Sequence, residues 1–167
     1  ETTLKSTDYK DGEGGGGGTI TPSPDEPDNI YSANFTSGKG GCTEKIVKNE
    51  SSNPSIWKQD SQFGWKGTAH SGGKNHVADA YLCLPEIDLT DYRHATLTIN
   101  QAINYAYKQA LKYLSVEATV KDSETGKDIV SKLPDLAVPS KDSWVFADYD
   151  LDLSQYCGGK VKLAFHY

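Results

Sequence analysis

Apolar and polar residues alternate along this chain in short runs, separated by turn residues. Residues 113–121 place Leu114, Val116, Ala118 and Val120 on one side and polar residues on the other, a period of two that predicts a strand. The same alternation runs through Tyr31, Ala33 and Phe35, and through 95–104 and 160–167, and a further strand is predicted at 144–151. Shorter strands are predicted at 43–48, 55–58, 63–70 and 76–84, the last ended by Pro85, which cannot donate to a ladder. Gly64 and Gly67 weaken or bulge the 63–70 run. Ser71-Gly72-Gly73-Lys74-Asn75 reads as a turn, and Ser123-Glu124-Thr125-Gly126-Lys127 as a hairpin turn with a return strand at 128–131. Only 105–111 allows a helical turn. About eight to ten short strands without a convincing helix predict an all-β protein, a two-sheet antiparallel β-sandwich. Long crossing loops favour the jelly-roll type.

One phrase occurs twice. Asp88-Leu89-Thr90-Asp91-Tyr92 precedes the strand at 95, and Asp152-Leu153-Ser154-Gln155-Tyr156 precedes the strand at 160. In each copy the Asp and the hydroxyl residue are suited to bonding nearby backbone N–H groups in a tight turn. The Leu and Tyr are suited to plugging the core beside it.

Composition divides the chain. Residues 1–29 carry seven acids and two bases, with Gly14 to Gly18 followed by Pro22, Pro24 and Pro27. So few apolar residues do not offset ordering entropy, so 1–29 is expected to be a flexible Gly/Pro/acidic linker to something upstream. The other 138 residues carry sixteen acids and fifteen bases and form the expected β-domain, 30–167. Its near-neutral charge lacks the basic stripe that nucleic acid requires. No apolar run is long enough for a transmembrane helix, and the N-terminus has no apolar signal-like region. Cys42, Cys83 and Cys157 fit no zinc spacing. Cys83 reads as a small buried hydrophobe, and Cys42 and Cys157 are placed to pair if the fold brings them together.

The order of motifs resembles a known family. Trp57, Phe63-Gly64-Trp65-Lys66-Gly67 and Ala78-Asp79-Ala80-Tyr81-Leu82-Cys83-Leu84-Pro85-Glu86-Ile87-Asp88-Leu89 are similar to segments of the choice-of-anchor (cleaved-adhesin-like) jelly-roll modules of bacterial surface proteins. Residues 151–167 resemble the later segment of such modules. The family is similar to galactose-binding-like and MAM-like sandwiches. Tyr81 stands where that family commonly has Trp, and the family adds a strand after the segment ending here at Tyr167. The resemblance therefore implies either a chain cut short of a final strand or an unfilled sheet edge, so a truncation, a disordered remainder or a partner pairing with that edge is expected. It also implies a secreted or outer-surface location, with lipid anchoring upstream of this numbering.

Candidate chemistry is sparse. His70, His76, His94 and His166 show no metal-ligand spacing, and no nucleophile motif accompanies them. Asp148, Asp150 and Asp152 share parity with Trp144 and Phe146, while Val145, Ala147, Tyr149, Leu151 and Leu153 read as the core side. Aromatic rings beside acceptors suit sugars, which stack an apolar face and bond through hydroxyls. The competing reading packs those aromatics beneath the 133–139 loop. Tyr105 and Tyr107, with Tyr113 nearby, are candidates for exposed contacts. The ligand-binding candidates are thus Trp144, Phe146, Tyr105 and Tyr107. No cofactor is implied; Asp60, Asp88 and Asp91 are weak calcium candidates, with turn capping as the alternative role. The expectation is a non-catalytic extracellular binding or adhesion module for a carbohydrate or surface protein. A structural spacer or assembly domain is the alternative, and a hydrolase the least favoured.

Overall fold

The computed structural model describes residues 2–6, 29–106, 108–134, 138–139 and 142–167. The strands are β1 (Thr2–Ser6), β2 (Asn29–Ala33), β3 (Thr43–Asn49), β4 (Trp57–Asp60), β5 (Gly64–Gly67), β6 (His70–Ser71), β7 (Lys74–Asn75), β8 (Ala78–Cys83), β9 (Ile87–Asp88), β10 (Ala95–Ile103), β11 (Ser115–Lys121), β12 (Asp128–Lys132), β13 (Ser143–Asp152) and β14 (Lys160–His166). A single helical turn, α1 (Ala110–Tyr113), lies between β10 and β11. One sheet runs β13-β10-β1-β2; the other runs β12-β11-β14-β8-β3, with β9 also paired to β14. Both sheets are antiparallel throughout. Two small hairpins, β4–β5 and β6–β7, complete the architecture.

The sheets share one core. Ala95, Leu97, Ile99 and Leu151 come from the first sheet, and Leu82, Val116, Ala118, Val161 and Leu163 from the second, all in a single buried cluster. The alternation of the sequence is the cause: on β10 the buried residues are 95, 97 and 99, every second position. The chain is therefore an all-β, sandwich-like fold.

The twin phrases are the two corners where the chain changes sheet. The first leads from β9 in one sheet to β10 in the other, and the second leads from β13 back to β14. Each holds the exit of the other. Leu89 N–H donates to the Gly159 carbonyl at 2.8 Å, and Gly158 N–H donates to the Leu89 carbonyl at 2.9 Å. Leu153 N–H donates to the Ala95 carbonyl at 2.8 Å, while Ala95 N–H reaches Ser154 Oγ at 3.4 Å. The leucines are fully buried, and Tyr92 and Tyr156 pack against the core from its rim. Asp88 Oδ1 accepts from Thr90 N–H and Thr90 Oγ1, and Asp152 Oδ1 accepts from Ser154 N–H. Bonds from those hydroxyl residues hold both carboxyls below the usual carboxylate range.

The structure departs from the sequence-based expectations in several places. Thr2–Ser6, expected within the linker 1–29, are a strand inserted between β10 and β2, and Asn29 already belongs to β2. Main-chain pairing on both sides supports this segment despite its few apolar residues; residues 7–28 lie outside the described residues. The run expected at 63–70 is interrupted: β5 ends at Gly67, and His70–Ser71 turn back on Lys74–Asn75 through Gly72 and Gly73, both at positive φ. The strand expected from 76 begins at Ala78. The final strand of this chain, β14, is interior, flanked by β11 and β8; the edges among the described residues are β2, β3, β12 and β13. None of the three cysteines forms a disulfide: Cys42 is buried beneath Tyr31, and burial pushes its thiol up.

Truncating Leu89 or Leu153 to alanine is expected to cost about 2–5 kcal/mol of unfolding free energy in urea titration, as for other fully buried leucines. The corner carboxylates set an acid response. Their folded pKa values lie below the unfolded value, so their contribution is complete above about pH 4 and is lost as pH falls through the folded values. The Asp88→Ala/Asp152→Ala double variant is expected to melt below wild type at pH 7. On acidification to pH 2 it should lose less of its melting temperature than wild type does.

Candidate functional site

The candidate site forms where β13 outruns the core. β13 pairs with β10 in regular register from Asp152↔Thr96 to Ala147↔Gln101, and the next pair is Ser143↔Ile103. Three residues of β13, Trp144, Val145 and Phe146, therefore stand opposite Ala102 alone. Such a bulge breaks the alternation and re-aims side chains at a sheet edge. Trp144 is 63% exposed, Val145 76% and Phe146 44%. The expectation that Val145 and Ala147 line the core is corrected: only Leu151 and Leu153 of that parity are buried, Tyr149 is half-buried, and the other two face solvent. Val145 lies in the bulge, and Ala147 pairs with Gln101, past Ile99, the last buried residue of β10.

Tyr105 joins Trp144 across the sheet end. Their rings meet edge to face at 5.8 Å with planes 78° apart, a favoured aromatic geometry. Tyr105 has φ 62° and Lys108 the same value, both in the left-handed region that costs a non-glycine residue free energy. Trp144 and Tyr105 present most of their surface to solvent. Phe146 lies two residues along the same strand. Tyr107, the fourth candidate, lies outside the described residues. Tyr113, also exposed, sits on α1 with the Lys112 ammonium 5.0 Å from its ring centre.

A polar ladder continues from the aromatics along the outer face of the same two strands. Asn100 Nδ2 donates to Asp148 Oδ1 at 2.8 Å, and Thr98 Oγ1 donates to Asp150 Oδ1 at 2.6 Å. The next pair is Thr96 with Asp152. Thr3 and Ser32 extend the Asp150–Thr98 row across β1 and β2. A carboxylate offers about four lone-pair positions, so one cross-strand bond leaves each Asp able to accept further donors. The arrangement can stack a flat apolar face and accept hydroxyl hydrogens beside it.

The calcium candidates are not gathered. Asp60 Oδ1 caps the β4–β5 turn, accepting from the Gln62 and Phe63 N–H groups, which lower its pKa. Asp88 caps its corner and lies 3.4 Å from the Lys160 ammonium, so a cation is already beside it. Asp91 is exposed. Among the described residues, no group of three or more His, Cys, Asp or Glu is placed to hold a metal ion.

A second constellation was not foreseen from the sequence. His166 lies on the outer face of its sheet, opposite the parity of buried Val161 and Leu163, and is pinned there. Its Nδ1 is 2.9 Å from Glu117 Oε1 on β11, and its Nε2 is 3.0 Å from Asp79 Oδ1 on β8. Tyr81 stacks on the ring at 4.0 Å, and Lys45 lies 5.5 Å from the Tyr81 ring centre. Both ring nitrogens are engaged by carboxylates, so the cluster ties three neighbouring strands together. Strand register alone brings these four residues into contact, and no local motif announces it. The remaining tryptophans are structural: Trp57 packs against Phe165 and Tyr167 and donates to the Ala80 carbonyl, and Trp65 donates to the Lys39 carbonyl.

Comparison with protein-family models, with curated proteins and with solved structures gives no match to this chain.

Tyr105→Gly is expected to leave unfolding free energy within about 1 kcal/mol of wild type, because relief of the positive φ offsets the lost ring contact. A loss of about 2–5 kcal/mol, as for a core truncation, would place Tyr105 in the core rather than in a solvent-facing site.

Proposed function

We propose that this chain is a non-catalytic binding module that takes a glycan on the outer face of β10 and β13, within an exported bacterial surface protein of the jelly-roll kind that its motifs resemble. The observation that carries the reading is the exposed pair Tyr105–Trp144 at the head of the Asp148–Asn100 and Asp150–Thr98 ladder. A pyranose has an apolar face that loses water against an aromatic ring, and hydroxyls that donate to carboxylates. The large exposed ring of Tyr105 on a left-handed backbone, set edge to face with exposed Trp144, supports a contact role over a packing role. The ladder is rigid because it stands on paired strands, so a ligand would meet preorganised acceptors.

A second reading is favoured by one feature. β13 is a sheet edge with exposed Trp144 and Val145, so a spacer or assembly role through edge pairing is consistent with it. The bulge and the alternating Asp148, Asp150 and Asp152 oppose that reading, since kinks and charges on an edge strand discourage pairing.

The test is a glycan array followed by titration calorimetry on the best ligand. Trp144→Ala and Tyr105→Ala are expected to weaken binding at least about tenfold, roughly 1.4 kcal/mol each. Val130→Ala, on the far edge strand β12, is expected to bind as wild type. Absence of binding to every glycan, or binding indifferent to Trp144 and Tyr105, overturns the proposal.

A further inference from the structure

The first sheet contains a strand whose attachment is far longer than its geometry needs. β1 is antiparallel to β2 and to β10, so β2 and β10 run parallel and both of their facing edges are paired only through β1. Lys5 stands opposite Asn29, so the end of β1 and the start of β2 are neighbours. A hairpin with its ends so placed closes with about two to five residues. Here residues 7–28 intervene, 22 positions including the run Gly14 to Gly18.

We infer that the slot between β2 and β10 is a strand-acceptor site, filled by β1 of the same chain or, by exchange, by β1 of a second copy of this chain. Three features support it. Recognition in the slot is mainly backbone pairing: Thr2 stands opposite Ile99 and Ala33, Thr3 opposite Thr98 and Ser32, and Leu4 opposite Leu97 and Tyr31. Main-chain hydrogen bonds of this kind are how an added strand gains affinity whatever chain supplies it. The buried Thr2, 1% exposed, fixes the register from inside the sandwich. An empty slot would leave two facing edges with unpaired backbone groups, which favours occupancy from any source.

The connection's length makes both sources available. Fully extended, 22 residues reach about 75 Å, enough to cross to a neighbouring molecule. A strand tethered through a connection of this length meets its own slot at an effective concentration on the order of millimolar. Self-filling therefore dominates in dilute solution, and exchange competes as chain concentration approaches that value. A reciprocal exchange closes as a symmetric dimer in which each copy completes the other's sheet.

Crosslinking tests the inference directly. Thr3 and Ser32 are directly opposed on the outer face, at a separation suited to a disulfide. A chain carrying both Thr3→Cys and Ser32→Cys is expected to close an internal disulfide, which confirms the register. A Thr3→Cys chain and a Ser32→Cys chain of different tag length are then unfolded together and refolded under oxidation at about 1 mM. A disulfide-linked heterodimer of at least about a tenth of the protein is expected, falling to background at about 1 µM. Thr3→Cys refolded with wild type sets the background from Cys42, Cys83 and Cys157. Replacing residues 7–28 by a four-residue turn should abolish the heterodimer. Internal closure with no heterodimer above background overturns exchange; failure of internal closure overturns the slot itself.

Discussion

Each sheet-crossing corner of this protein is held by the strand that leaves the other corner. Leu89 is bonded through both its N–H and its carbonyl to Gly159 and Gly158, just after the second phrase. Leu153 is bonded to Ala95, just after the first. Neither turn can open without freeing the start of the strand beneath the other, and both leucines seal the same core. A sandwich needs its two layers kept in fixed offset if side chains from each are to interdigitate. Here that offset is fixed by two short turns.

The candidate site inherits its geometry from this arrangement. Asp152 ends β13 at a corner, so that end of the strand is immobilised and its register with β10 is set from Thr96 outward. The far end runs past Ile99, the last buried residue of β10, and from Asp148 back to Trp144 every residue is exposed. The bulge at 144–146 sits in that overhang, and it turns three consecutive side chains toward water. A ladder that is rigid at one end and aromatic at the other follows from a strand longer than the core it covers.

The sequence disclosed those parts of the fold that depend on burial of one strand face. The alternation in 95–103, 115–121 and 160–166 is legible because the facing sheet requires it, and the Asp-Leu-hydroxyl phrase is legible because the turn chemistry is local. β1 was not legible: Thr-Thr-Leu-Lys-Ser carries little pattern, and its pairing is supplied by residues about 30 and 95 positions on. The bulge was equally hidden, since Trp-Val-Phe-Ala is apolar on both parities and only the partner strand reveals the break. For the site, parity singled out Trp144, Phe146 and the aspartates, and loop position singled out Tyr105. Their pairing with Asn100 and Thr98, and the Glu117–His166–Asp79 cluster, depend on register between distant segments.

Native-state hydrogen exchange tests the reciprocal corners most directly. The amides of Leu89, Leu153 and Gly158 are expected to exchange only by global unfolding, with the same free energy and denaturant dependence as the central-strand amides of β14. Exchange of the Leu89 and Leu153 amides through local opening, at a free energy well below the global value and insensitive to denaturant, would contradict the claim that these two turns hold the sheets together.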